Sequence, residues 1–145
     1  MLAAAQIRAQ VALRLQACAF TAGRVFEGRY WPVTESEMPC WFVALDQEDV
    51  QAEGLSWPGL QTHRLRLLAD GFVADADTLE SSLDTLQTQA LEALFATQPP
   101  FQLRCVGVRR RVADAEGQDG RFGVLSLFLE ATFLTVEGQP QNLIP

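Results

Sequence analysis

A run of regularly spaced apolar residues, closed by two consecutive prolines, constrains this chain more than any other feature. The apolar positions recur at three- and four-residue steps, the spacing of one helix face: Leu79, Leu83, Leu86, Ala90 and Leu94. Asp77 is the predicted N-cap, and Glu80 completes a capping box three residues later. Pro99-Pro100 must end the element. The pattern predicts an amphipathic helix of about five turns, and its apolar stripe requires a sheet to pack against.

The remaining periodic segments predict one more helix and a set of strands. Ile7, Val11, Leu15 and Cys18 form a helical stripe, which predicts a helix over residues 3 to 20. Strand patterns cover residues 24–26, 40–46, 61–70, 101–112 and 122–136. Apolar residues change parity at Gly107, which predicts a β-bulge there.

An acidic segment separates the second and third of these strand patterns. Residues 47–60 contain Trp57 and show no clear alternation, so they are predicted to be a long loop. Four acids lie in this segment or border it: Asp46, Glu48, Asp49 and Glu53.

Taken in order, these elements predict an α+β fold with an antiparallel sheet of about four main strands and two helices packed on one face. The chain has 145 residues, a length that suits one domain. We expect that domain to cover residues 1–136, followed by an exposed C-terminal tail over residues 137–145.

Charge and composition bear on the partners and the compartment. The net charge is -7, which argues against nonspecific binding to nucleic acid. All 11 basic residues are Arg, a side chain suited to two-pronged contacts with carboxylates at interfaces. Cys18, Cys40 and Cys105 follow no metal-binding or redox spacing and are expected to be free thiols. The N-terminal residues lack an apolar run long enough for a signal peptide or a membrane span, so we expect cytoplasmic synthesis.

Residues with catalytic or ligand-binding chemistry are sparse in the sequence. His63 is the only histidine and has no nucleophile motif beside it, so a role in the strand or core is expected. Gly117, Gly120 and Gly123 lie between strands rather than before a helix, which favours turns over a phosphate loop. The acids around Asp46 lack the spacing of a calcium loop. We therefore expect no catalytic, metal or cofactor site, and a small soluble enzyme of unknown reaction is kept as the alternative from another class.

One face of the predicted sheet mixes arginines with apolar residues. Parity places Arg64 and Arg66 opposite Leu65 and Leu67, while Arg104 and Glu130 also face away from the helices. The same face carries Phe128, Leu134 and Val106. Such a surface suits a subunit interface, where Arg and aromatic residues are enriched, or a solvated face. Both interpretations stay open at this point.

The order and spacing of these motifs resemble the tail terminators of long-tailed bacteriophages, the minor tail protein U type of phage lambda. The similarity covers nearly the whole chain. Its motifs are the first helix near Ile7-Arg8-Ala9, the segment Val25-Phe26-Glu27-Gly28-Arg29, Met38-Pro39 before an apolar strand, Trp57 before the next strand, the long helix, and Arg110-Arg111 before an acidic turn. The chain departs from the family in its Trp31-Pro32 insertion and its extension beyond residue 136.

The resemblance implies a structural virion protein at the head-proximal end of the tail. Such a protein forms a homohexameric ring on the finished tail tube, stops tube polymerisation and provides the docking surface for the head connector. The genome passes through the ring without specific binding, and no membrane or cofactor is involved. A head-completion or neck protein is the alternative from the same particle.

The same resemblance suggests two sets of contact residues. Candidates for the subunit interface are Arg64, Arg66, Arg104, Glu130, Asp46, Glu48, Asp49, Glu53 and Trp57. Candidates for contacts with the tube or connector are Arg109, Arg110, Arg111, Asp114, Glu116 and Asp119. The residues alone make the arginine run a subunit contact or an intrachain ion-pair cluster more readily than a DNA contact.

Overall fold

A five-stranded sheet carries both helices on one of its faces in the computed structural model of this chain. The structure describes residues 1–28, 34–74, 78–114 and 121–144, with only the backbone of residues 35, 113, 114 and 121. The elements are α1 (Ala3–Leu15), β1 (Val25–Glu27), a short 3-10 helix (Glu35–Glu37), β2 (Cys40–Glu53), β3 (Leu60–Ala74), α2 (Leu79–Leu94), β4 (Gln102–Asp114) and β5 (Arg121–Val136). The predicted α+β fold is confirmed.

The strand order is β1-β2-β3-β5-β4, and every neighbouring pair is antiparallel except β1 with β2. The sheet thus has one strand more than the four main strands expected. The extra strand is short, because β1 pairs only through Val25, Phe26 and Glu27 with residues Trp41 to Val43 of β2. Beyond Val43, the outer edge of β2 has no partner strand among the described residues.

The core lies between the helices and the sheet face that they cover. Ile7, Val11 and Leu15 of α1 are fully buried, and so are Ala90 and Leu94 of α2. Alternate residues of the two central strands meet them: Leu65, Leu67, Ala69, Leu125, Leu127, Leu129 and Ala131. Each buried leucine stabilises the fold by roughly 1.5–3 kcal/mol, so this layer accounts for the helix placement that the stripes predicted.

The end of α1 differs from the prediction, and the predicted N-cap of α2 lies outside the described residues. Helix α1 ends at Leu15 rather than residue 20. The chain continues in turns, and Ala22 and Gly23 adopt positive φ angles of 50° and 77° before β1 begins. Helix α2 begins after Thr78, so the capping role predicted for Asp77 lies outside the described residues. At its other end, Arg14 Nη1 donates to the carbonyl oxygens of Leu94 (2.8 Å) and Thr97 (2.6 Å). These bonds satisfy acceptors that the helix end leaves free.

The long loop predicted for residues 47–60 is wrong. Strand β2 continues to Glu53 and pairs with β3 from Leu60 onward, so only residues 54–59 form the turn. We call residues 47–66 the arm. Residues Gln47 to Glu53 are exposed, so polar residues occupy both faces of the strand. The sequence therefore lacks the alternation of apolar and polar residues that would have predicted a strand here. Strand β3 also runs beyond the predicted Asp70, through Gly71 to Ala74.

Two β-bulges interrupt the sheet, and one of them was predicted. The register between β4 and β5 shifts between Cys105 and Gly107, which confirms the parity change seen in the sequence. The second shift lies between Leu45 and Gln47 of β2, where Asp46 is the extra residue. It re-aims the side chains of the arm relative to the first half of β2.

The residues after β5 turn back onto the domain. The backbone N–H of Ile144 donates to the Leu134 carbonyl oxygen at 3.0 Å, and Leu143 packs against the core. Gln6 Nε2 of α1 donates to the carbonyl oxygen of Gln141 at 2.8 Å. Residues 138–142 are otherwise exposed.

Candidate subunit interface

The sheet face opposite the helices is here called the open face, and the described residues cover it only at one end. There, four phenylalanines from four strands form a ladder, with Phe26 to Phe42 and Phe42 to Phe72 at 5.3 Å and Phe72 to Phe122 at 6.0 Å between ring centroids. Met38 packs against them. Phe42, Phe72 and Phe122 are buried and Phe26 is partly buried, while the described residues leave the other half of the open face available to a partner.

The available half carries the predicted arginines. Arg64 and Arg66 lie on β3 and Arg104 lies on β4, all three exposed and all facing away from the core, as their parity indicated. Phe128 of β5 lies among them and is 38% exposed. An exposed aromatic residue among arginines is typical of interface surfaces.

Glu130 lies at the centre of this arginine group. The register places Arg66 beside it on one side and Arg104 on the other. The nearest ion-pair distance is 4.0 Å, from Arg66 Nε to Glu130 Oε2. One carboxylate faces two arginines, so the group has a net positive charge that a carboxylate of a partner molecule can neutralise.

A second polar pair lies between this group and the aromatic cluster. Ser126 Oγ donates to Asp70 Oδ1 at 2.5 Å across β3 and β5. Burial raises the pKa of the Asp70 carboxyl, while the Ser126 hydrogen bond and the charge of Arg111 act to lower that pKa. Apolar spacing did not predict this pair, although alternation along β3 beyond Leu68 places Asp70 on the same face as Arg66.

The arm holds the predicted acids on a strand rather than in a loop. Asp49 lies opposite Arg64 in the register, and Gln47 Nε2 donates to Asp49 Oδ1 at 3.1 Å. Glu53 Oε1 accepts from the Thr62 hydroxyl at 2.7 Å. These acids are all exposed, so the arm presents a negatively charged strand to solvent.

Glu48 faces the helix side of the arm and pairs with the histidine. Glu48 Oε1 lies 2.7 Å from His63 Nδ1, and Thr135 Oγ1 lies 2.6 Å from His63 Nε2. The His63 ring also stacks on Phe133, with centroids 4.6 Å apart. A carboxylate, an imidazole and a hydroxyl in a row are the groups of a hydrolytic triad. Here the hydroxyl-bearing residue is only 1% exposed, so the arrangement links strands and leaves the hydroxyl out of reach of a substrate.

The tip of the arm is apolar. Leu55 is fully exposed and Trp57 is 84% exposed, both in the turn between β2 and β3. A large, exposed aromatic side chain in a hairpin turn can enter a pocket on a partner. The structure therefore sets Trp57 apart from the sheet-face arginines with which it was grouped.

The arginine run divides between the two faces of β4. Arg110 faces α2, where it contacts Asp84 Oδ1 (2.7 Å), Gln87 Oε1 (2.9 Å) and Glu80 Oε2 (3.5 Å). The intrachain ion pair that the residues suggested is thus present for this residue. Arg109 and Arg111 point to the open face. The side chain of Asp114 and the whole of Glu116 and Asp119 lie outside the described residues.

Other features of the described residues bear on the remaining expectations. Cys18, Cys40 and Cys105 are free thiols, and burial raises the pKa of Cys18 to about 11. Among the residues that the structure covers, no group of three or more metal-binding side chains is found. No helix in the described ranges is long and apolar enough to cross a membrane.

A surface groove of about 600 Å³ lies between the end of α2 and the start of β4. Its lining residues are aromatic, aliphatic, amide, hydroxyl and proline residues: Phe95, Thr97, Gln98, Pro99, Pro100, Phe101, Gln102 and Leu103. The lining contains no ionisable side chain, so it offers no group for acid–base chemistry.

No protein-family model matches the chain, and no curated protein matches it either.

Proposed function

We propose that this chain is a structural subunit of a long-tailed bacteriophage, a tail terminator that forms a ring on the completed tail tube. The proposal rests on the resemblance in motif order and on one structural observation. Among the described residues, half of the open face is uncovered and carries Arg64, Arg66 and Arg104, with Glu130 between Arg66 and Arg104 and Asp49 opposite Arg64. A domain that stands alone gains little from such exposed charges.

In this proposal, the arm and the open face supply surfaces of opposite charge. The arm exposes its acidic strand and Trp57, while the sheet presents arginines and Phe128. A cyclic assembly brings different surfaces of the same chain together, so opposite charges on the two surfaces support head-to-tail contacts. Charge-assisted contacts of this kind contribute about 1–3 kcal/mol each.

The experiment uses tail tubes from the same particle, mixed with the purified chain and imaged by negative-stain electron microscopy. We expect one ring at one end of each tube and no further tube growth. Arg64→Ala and Arg66→Ala should reduce the fraction of capped tubes while the chain stays folded. Arg8→Ala is the matched control, because Arg8 pairs with Glu27 on the side of α1, away from the open face.

The same images separate the proposal from its nearest alternative. A head-completion or neck protein would bind the head connector and leave bare tubes uncapped. Uncapped tubes together with connector binding would therefore replace the tail-terminator assignment with a neck assignment. Normal capping by both arginine variants would refute the role given to the open face.

A further inference from the structure

Two strand edges of this sheet, on opposite sides, have no partner strand within the part of the chain that the structure describes. On one side, β4 (Gln102–Asp114) is the last strand of the sheet. On the other side, β2 is covered by β1 only as far as Val43, and the described residues offer no partner strand to its arm half. A free edge exposes a row of backbone N–H and C=O groups that can pair with another strand. Two different free edges on one chain allow head-to-tail association.

The two edges carry opposite charges. The free half of β2 holds Asp46, Glu48, Asp49 and Glu53 and no basic residue. The described side chains of β4 include Arg104, Arg109, Arg110 and Arg111 and no acid. Pairing β4 with a second copy of β4 would bring arginines against arginines, which is unfavourable. Pairing β4 with β2 of another copy brings arginines against acids.

Arg109 is the most informative of these residues. It is exposed, and the described residues provide it with no ion-pair or hydrogen-bond partner. Its counterpart on the arm is Asp49, which is also exposed and points to the open face. Asp49 lies between the β-bulge of β2 and the C-terminal end of that strand, and Arg109 occupies the same position in β4.

The faces fix the register between the two edges. Strands β2 and β4 run in opposite directions within the sheet, so a sheet continued from one copy to the next joins them antiparallel. If Asp49 lies opposite Arg109, then Glu48 lies opposite Arg110 and Val50 opposite Val108. Asp49 and Arg109 share the open face, while the other two pairs share the helix face. Val50 and Val108 are 50% and 43% exposed, so this register also covers two apolar side chains.

This register requires neighbouring copies to be offset along the strands. Within one chain, Arg110 of β4 pairs with Leu125 of β5. Glu48 of β2 pairs with Leu65 of β3, which in turn pairs with Ala131 of β5. The two edge positions are therefore six residues apart along β5. At about 3.3 Å per residue, the offset is about 20 Å, close to the width of four strands at about 4.8 Å each. When the offset between copies along the strands equals the width of one copy's sheet, the strands are tilted by roughly 45° to the ring axis. This tilt is near the usual range for closed sheets.

We propose that residues 108–111 of β4 pair antiparallel with residues 47–50 of β2 in the next copy of this chain, joined by Arg109 to Asp49. The pairing builds on the ring assembly proposed above and names the backbone contact that closes it. Asp49 then lies between Arg64 of its own chain and Arg109 of its neighbour. Every copy contributes one edge of each kind, and so each edge is covered only when the ring is closed.

Charge reversal tests the pairing through its rescue. Asp49→Arg and Arg109→Asp should each raise the concentration needed for assembly, measured by sedimentation velocity, by at least tenfold. An equimolar mixture of the two variants should assemble again, because alternating copies restore opposite charges at every junction. Circular dichroism and urea unfolding of each variant establish that the chains are folded.

A disulfide tests the register independently of charge. Val50→Cys with Val108→Cys in one chain should give a ladder of covalent oligomers on mild oxidation of the assembly. The Cα atoms of directly opposed residues in an antiparallel pair lie about 4.5–5.5 Å apart, within the range of about 4.4–6.8 Å that a disulfide spans. Neither single-cysteine variant should give a ladder. Dimers from Val108→Cys alone would show β4 pairing with itself and overturn the proposal.

The outcomes separate this inference from the ring itself. Wild-type rings without a ladder and without rescue in the mixture would refute the strand pairing and leave the ring. A wild-type chain that forms no assembly, alone or on tubes, would refute both.

Discussion

His63 connects three strands through contacts that differ in kind. From β3 it reaches Glu48 on β2 and Thr135 on β5, and its ring stacks on Phe133. The arm depends on these contacts, because the apolar core ends near Leu65 and His63 is the next buried side chain toward the tip. A buried polar group whose two nitrogens both have partners stabilises one arrangement of the strands.

His63→Ala should lower the free energy of unfolding by about 2–3 kcal/mol, since it removes two hydrogen bonds and a stacked ring and leaves Thr135 unpaired. Urea unfolding measures this change. Gln51→Ala, an exposed position on the same arm, is the control and should cost less than about 0.5 kcal/mol. Loss of a measurable turnover in the histidine variant, with stability unchanged, would contradict the structural role.

Asp70 predicts a pH dependence at the residue scale. Its pKa is raised mainly by burial, so the folded state holds the proton more tightly than the unfolded state. The charged carboxylate therefore costs stability at neutral pH, and that cost disappears as pH falls through the raised pKa. Asp70→Asn should be more stable than wild type at pH 7, and the difference should shrink toward pH 3. A variant that is less stable than wild type at pH 7, by an amount that is the same at pH 3, would contradict this prediction.

At the scale of elements, burial decided which strands the sequence revealed. Helix α2, β5 and the bulge in β4 bury one face, so apolar spacing predicted them. Between His63 and its tip, the arm buries no large side chain, and its strand from Gln47 to Glu53 carried no apolar alternation. Strand β1 was too short to predict pairing, and its parallel alignment depends on tertiary contacts with α1 and β2.

The candidate site likewise contains some residues that the sequence placed and some contacts that it could not predict. Parity alone placed Arg64, Arg66, Arg104 and Glu130 on one face, as the register confirms. Sequence spacing could not pair Glu48 with His63 or Asp70 with Ser126, since these residues lie 15 and 56 positions apart and meet only through strand register.

Trp57 tests the tip of the arm as a contact. Trp57→Ala should leave the unfolding temperature unchanged, because the side chain is 84% exposed, and should weaken capping of tail tubes at least tenfold. Leu13→Ala is the control, since Leu13 is an exposed apolar residue on α1, far from the arm in sequence. Equal capping by both variants would remove the tip from the list of contacts.

For the whole molecule, the separation of charges matters more than the net value. The chain carries -7, yet the described open face gathers Arg64, Arg66, Arg104, Arg109 and Arg111. In the proposed ring, Arg109 is neutralised by Asp49 of the next copy, and Glu130 and Asp70 offset others. The ring as a whole remains strongly acidic, which suits a passage for a polyanion.

Weak DNA binding follows from this arrangement. Titration of duplex DNA at physiological salt should show no tight complex, because an acidic assembly with occupied arginines releases few counterions. Fluorescence anisotropy over a range of salt concentrations measures it. A tight, strongly salt-dependent complex would show that the open face binds nucleic acid instead of a protein partner.

The ring on the tube is the central claim, and its mass and symmetry on tail tubes test it most directly. Purified chain mixed with tubes, cross-linked and imaged, should give a closed ring at one end of each tube with six times the 16.0 kDa of one chain. Tubes so capped should stop growing when tube protein is added. Open filaments, isolated two-fold dimers, or tubes that keep growing beneath the bound chain would contradict the account.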